Sequence, residues 1–198
     1  MTMINNEIEQ VAATVINNYV HRGNGHTQLL NIMQAENIKF KEVTSVSDAF
    51  VGALTCGNNG QIYIVINSSI ESLGRKVFTI SHEIGHYFLK HQLQYASFYC
   101  SDNDIAEESY ASDLLEREAN HFASCFLMPE DKVRSAFLGI LKRSKKTNSR
   151  VFLCVKNDYS YGIWCGIRED LMKRYGVSEA ALRYRLKYLQ LAEFDFAN

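Results

Sequence analysis

The chain has 198 residues, of which 46% are hydrophobic and 22% charged, and its formal net charge is −1. This composition supports a sizeable core and excludes global disorder. The near-neutral balance excludes capture of nucleic acid by overall charge, although not by a local basic patch.

In chain order, Ile8, Val11, Ala12, Val15, Ile16 and Tyr19 recur at helical spacing and predict a helix over 6–20, ended by Gly23 and Gly25. Thr27 is a candidate cap for a second helix over 28–35. Residues 38–43 alternate apolar and polar, as a half-buried strand does. Residues 51–55 and 61–67 flank Gly57-Asn58-Asn59-Gly60, which predicts a hairpin with a glycine-rich turn. The run Ile62 to Ile66 is β-branched and aromatic and supports the second of these strands. It is also the strand expected to lie at the sheet edge and to pair with an extended substrate.

A long helix is predicted over 71–91. Val77, Ile80, Ile84 and Phe88 form one stripe on it, and at about 100° per residue His82 and His86 point away from that stripe. Phe78 and Leu89 flank the histidines, so the helix should be central and largely buried. An acidic, tyrosine-rich loop follows over 92–111, then helices over 112–127 and 130–141 on either side of the single proline, Pro129. A basic loop over 142–150 and two short strands, 151–155 and 161–165, precede two final helices over 167–175 and 178–191. Gly176 separates those helices and Ser178 caps the second. The five cysteines, at 56, 100, 125, 154 and 165, form no Cys-x-x-Cys pair and are expected to be reduced and mostly buried. Cys100 could block a metal reversibly from the acidic loop; a bland thiol is the plainer reading. No apolar run is long enough to cross a bilayer, and the polar N-terminus lacks a signal-peptide profile, so a cytoplasmic location is expected.

The chemistry is concentrated in His82-Glu83-Ile84-Gly85-His86. Four residues apart on a helix, both imidazoles lie on one face, a turn apart, and can reach one metal ion. Glu83 sits beside the open coordination position, where a carboxylate can take a proton from the water that the metal activates. This is the H-E-x-x-H arrangement of zinc-dependent peptidases, with one Zn2+ per chain. Two histidines alone hold zinc weakly, so a third protein ligand is expected among Asp113, Glu116 and Glu118. With Glu116 at zero on its helix, Asn120 lies at about 40° and Leu127 at about 20°, whereas Glu118 falls at about 200° on the more polar side with His121. This favours Glu116, bordering the buried face. Ala119 and Ala123 are small enough to let the two helices approach closely. Asn120 could bond the outer nitrogen of a ligand histidine or orient Glu116. His91 lies over the apolar stripe and is expected to be packed or partly exposed, and His121 to be at the surface. Candidates for an additional oxyanion donor are Tyr87, Tyr95, Tyr99, Tyr110 and His121.

With these residues in place, the chain resembles the ImmA/IrrE family of metallopeptidases. The resemblance rests on Ser81 to Tyr87, Leu115 to Ala123, Phe126-Leu127-Met128-Pro129, and the closing Tyr175-Gly176-Val177-Ser178 with Ala181-Leu182 and Arg185-Leu186. It implies a gluzincin-like ligand set, His82, His86 and Glu116, with Glu83 as general base. It also implies a substrate that spacing cannot show: a helix-turn-helix repressor, cut at a specific site in a mobile-element or stress response. The expected fold class is α+β: a zincin-like core over 1–129, with a small antiparallel sheet packed on the central H-E-x-x-H helix, and a mainly helical C-terminal extension over 130–198 packed on that core. Two other readings compete. One is a non-catalytic, metal-stabilised regulatory module in which the helix pair around Gly176–Ser178 binds a protein or DNA through Arg183, Arg185 and Lys187. The other is a peptidase acting as a toxin or on small peptides.

Overall fold

The computed structural model describes residues 5–19, 25–44, 50–91, 100–101, 114–143, 151–156 and 158–195. The chain divides into two units, Met1–Leu127 and Met128–Asn198.

The first unit opens with helix α1, Asn5–Tyr19, which buries Ile8, Ala12 and Val15 along one face. Helix α2, Gly25–Ala35, starts two residues before Thr27, so Thr27 is not its cap. After α2, Asn37 takes a left-handed φ of 53° and turns the chain into strand β1, Lys39–Val43. Strands β2, Phe50–Cys56, and β3, Ile62–Asn67, form the predicted antiparallel hairpin. Its turn is closed by Gly60 N donating to the Gly57 carbonyl over 2.9 Å, with Gly60 at φ 75°, a conformation that favours glycine.

The sheet order is β1-β3-β2-β4, where β4 is the short strand Cys100–Ser101. This corrects two expectations. β1 pairs with β3 in parallel, from Lys39 opposite Tyr63 to Val43 opposite Asn67, so the sheet is mixed rather than antiparallel. The physical reason is that β3 inserts between β1 and its hairpin partner β2. That insertion also makes β3 an interior strand, and its backbone groups are committed to two neighbours. It therefore offers no edge for a substrate.

Helix α3, Leu73–Phe88, is capped by Ser72, whose Oγ accepts from Arg75 N over 3.4 Å. The helix ends earlier than predicted, because Lys90 adopts a left-handed φ of 62°. Helix α4, Leu114–Leu127, carries Glu116 and Glu118, two of the three third-ligand candidates. α3 packs on β2 and β3 and on α4, and α1 packs on α4. Two glycines set these distances. A Cβ on Gly52 of β2 would lie 2.8 Å from Thr79 Cγ2 and 3.0 Å from Glu83 Oε1. A Cβ on Gly85 of α3 would lie 3.0 Å from Phe122 Cδ1 and 3.2 Å from the Ala119 carbonyl oxygen. The close approach expected from Ala119 thus depends equally on Gly85.

The second unit comprises α5, Glu130–Arg143; β5, Phe152–Val155; α6, Tyr159–Tyr175; α7, Glu179–Tyr188; and β6, Ala192–Asp195. β5 and β6 pair in parallel. The strand expected over 161–165 is helical instead. Asp158 caps α6, and Trp164, Ile167 and Leu171 form its buried face, a helical spacing that outweighs the β-propensity of the aromatic residues. Gly176, at φ 66°, closes α6, and Ser178 Oγ caps α7 by accepting from Ala181 N over 3.1 Å. The last helix is shorter than expected, and β6 follows it. Arg185 is almost fully buried and donates from Nε to the Met128 carbonyl over 3.0 Å. Arg183 is also buried, with its guanidinium 5.1 Å from the centre of the Phe194 ring. Among the described residues, no helix is long and apolar enough to cross a membrane.

Replacing Gly85 by Ala should force α3 and α4 apart. A loss of about 1–3 kcal/mol in denaturant unfolding is expected, together with weaker metal binding; unchanged values for both would mean that the contact is slack.

Candidate metal centre

α3 and α4 bring three of the predicted residues to one point. His82 Nε2 lies 3.0 Å from Glu116 Oε2, His86 Nε2 lies 3.2 Å from Glu116 Oε1, and the two Nε2 atoms are 3.0 Å apart. Both histidines have no exposure, and Glu116 is 6% exposed. The three side chains form a group that could hold a metal ion. Glu83 is also fully buried, on the same helix between the histidines, with the Gly52 backbone of β2 alongside. Of the alternatives for the third donor, Glu118 points elsewhere, and Asp113 lies outside the described residues.

The outer nitrogens of both imidazoles are held. His82 Nδ1 faces Asn120 Oδ1 at 3.0 Å, one of the two placements expected for Asn120. His86 Nδ1 faces His91 Nδ1 at 2.9 Å, and His91 Nε2 in turn meets Glu118 Oε2 at 3.1 Å. Hydrogen-bond logic then assigns the protons. The Glu118 carboxylate accepts from His91 Nε2–H, so neutral His91 presents a bare Nδ1. That nitrogen accepts from His86 Nδ1–H and leaves His86 Nε2 bare. Asn120 Oδ1 likewise accepts from His82 Nδ1–H. The result is two imidazole lone pairs and a carboxylate converging within hydrogen-bond distance. Such an all-acceptor set repels itself unless a cation or a proton sits among the atoms, and it suits a borderline metal ion.

Titration follows the same geometry. Burial acts to lower the pKa of His82, but the hydrogen bond and charge of Glu116, with Glu83 and Asn120, outweigh it and leave the pKa raised above 6.5. His86, where burial dominates and the neighbouring His82 adds repulsion, is pushed down to about 4. Burial works against ionised Glu116, yet its two neighbouring histidines prevail and hold its carboxyl far below the usual range. Below the raised pKa of His82, the cluster carries a proton on that ring, shared towards Glu116.

Three expectations are corrected here. His91 is packed, but not over the apolar stripe; it is 1% exposed and backs His86. Glu118 is not on a polar face; it is buried against His91. His121 is not at the surface; it is 2% exposed and faces Glu9 of α1. The sequence concealed His91 because the chain leaves the helix at Lys90, where a helical projection ceases to apply. Of the oxyanion-donor candidates, Tyr87 donates to Glu36 Oε2 over 2.8 Å, and its pKa is pushed up to about 12 by burial and by that hydrogen bond; Tyr19 donates to the same carboxylate. Tyr95, Tyr99 and Tyr110 lie outside the described residues, as does the side chain of Cys100.

With this geometry in view, the chain is a metallopeptidase by family. The Peptidase M78 family model, described as the IrrE N-terminal-like domain, matches residues 43–187, and the chain belongs to that family. The match spans both the residues of the metal centre and most of the second unit, as the resemblance in the sequence implied. A comparison with curated proteins finds no match.

Two outcomes are expected. Because metal must displace the His82 proton, metal affinity should rise about tenfold per pH unit below the raised pKa of His82 and level off above it; a flat profile in competition titrations from pH 5 to about 8 would contradict that proton assignment. Asn120→Ala should weaken metal binding by about 10–100-fold while leaving helical circular dichroism unchanged.

Proposed function

We propose that this chain is a zinc-dependent endopeptidase whose substrate is a helix-turn-helix transcriptional repressor, cut at one site in a mobile-element or stress response. The observation that carries the catalytic part is the convergence of His82 Nε2, His86 Nε2 and Glu116 Oε1 and Oε2 within 3.0–3.2 Å beside a fully buried Glu83. The repressor is supported by the family resemblance alone. A cytoplasmic location is part of the same reading.

In this reading His82, His86 and Glu116 hold the zinc ion, and Asn120 and the His91–Glu118 pair fix the ring orientations. The ion would supply electrophilic polarisation of the scissile carbonyl and a water acidic enough to react near neutral pH. Glu83 takes the proton of the attacking water and then delivers it to the departing amine. Its position one residue after His82, with Gly52 leaving room for the carboxylate, keeps that proton transfer short. Glu83 is fully buried, which keeps it from losing its proton to bulk solvent between the two transfers.

The DNA-binding alternative draws no support from the second unit. Arg183 and Arg185, two of the three cations on which it relied, are buried.

The test is the pair Glu83→Gln and Glu116→Ala, assayed for zinc content by mass spectrometry and for cleavage of a co-expressed candidate repressor. Glu83→Gln should retain about one zinc at this centre and lose at least about a hundredfold in kcat. Glu116→Ala should lose zinc. Full zinc retention in Glu116→Ala would remove it from the ligand set; full activity in Glu83→Gln would end the general-base assignment. Peptidase activity on generic peptides with an intact repressor would favour the toxin or small-peptide reading.

A further inference from the structure

A second convergence of metal-ligating side chains lies elsewhere on α4. His121 and Cys125 are four residues apart and face α1, at about 140° and about 180° around the helix from Glu116. Both are buried, at 2% and 4% exposure. Glu9 of α1, with a side chain 24% exposed, brings its Oε1 to 4.0 Å from His121 Nε2. Cys125 Sγ lies 3.5 Å from the same nitrogen, and the three donor atoms form one group within 4.8 Å.

The distances match metal geometry. Bond lengths of about 2.3 Å to sulfur and about 2.0–2.1 Å to nitrogen at a tetrahedral ion place the two donors about 3.5 Å apart. The Sγ–Nε2 distance already has this value. The carboxylate needs to move in by less than 1 Å, roughly, from 4.0 Å to the separation of about 3.3 Å that a tetrahedral site requires. Glu9, the partly exposed member, is the one placed to make that movement. A thiol–imidazole hydrogen bond engages His121 with Cys125 and an ion pair engages it with Glu9; a metal ion engages all three donors at once.

We propose that Glu9, His121 and Cys125 form a second metal site, distinct from the peptidase centre, for a borderline divalent transition ion such as zinc or cobalt. Sulfur, imidazole and carboxylate together suit such ions and not magnesium or calcium. Three protein donors leave a position for water on the Glu9 side. The bound ion clasps α1 to α4, the helix that carries Glu116.

The test exploits the one donor type that the peptidase centre lacks. Cobalt(II) is titrated into the metal-free full chain under reducing conditions, and thiolate-to-cobalt charge-transfer absorption is recorded. The band should appear in wild type and in His82→Ala, and should vanish in Cys125→Ala. Bound cobalt should be about two equivalents in wild type and about one in either variant. Glu9→Gln, at a partly exposed position where folding is not at risk, should weaken the band-forming site by more than about tenfold. The proposal is overturned by absence of the band in wild type, by a band that survives Cys125→Ala, or by an unchanged affinity in Glu9→Gln. The last variant keeps the test decisive if Cys125→Ala fails to fold.

Discussion

The near-contact of α3 and α4 is the constraint from which the rest of the first unit follows. Two imidazoles on one helix and a carboxylate on another can share an ion only if the two helices are held at a fixed, close approach. Gly85 and Ala119 provide that approach, and Phe122 closes over it. On the other side of α3, Gly52 lets the sheet come equally near and leaves room for Glu83. The reactive side chains are therefore held by absences of side chain in their neighbours, and rigidity here comes from close packing more than from covalent or ionic bracing.

The polar residues around the centre form a directed chain. Glu118 fixes the tautomer of His91, His91 fixes that of His86, and Asn120 fixes that of His82. Each link decides where one proton resides, and the outcome is lone pairs aimed inward. Buried carboxylates and imidazoles are costly unless each finds a partner. Placing Glu118 at the far end of the relay satisfies a buried carboxylate and orients the His86 ring with the same hydrogen bonds.

Much of this was legible in the sequence, for identifiable reasons. The hairpin, the helix of His82 and His86, the placing of Glu116 rather than Glu118 beside those histidines and the place of Asn120 rest on periodicities that local geometry enforces. What escaped depended on chain direction changes and on distant partners. His91 lies one residue past a left-handed Lys90, and no helical projection extends through such a bend. His121 and Glu118 look solvent-facing on an isolated helix and are covered only because α1 and His91 arrive from elsewhere. β1 alternates as a strand in either sheet orientation, so its parallel pairing with β3 had no local signal. The strand expected over 161–165 failed because Trp164 belongs to a helical series with Ile167 and Leu171.

α4 has fourteen residues, and among them only Arg117 is exposed. Some positions face α3, some supply Glu116, Glu118 and Asn120, and others meet α1. A helix so fully occupied has almost no room for neutral drift. Descendants of this chain could vary freely at Arg117, while a change almost anywhere else on the helix would need a compensating change in α1, in α3 or in the site itself. Divergence within such a lineage would have to proceed by paired substitutions.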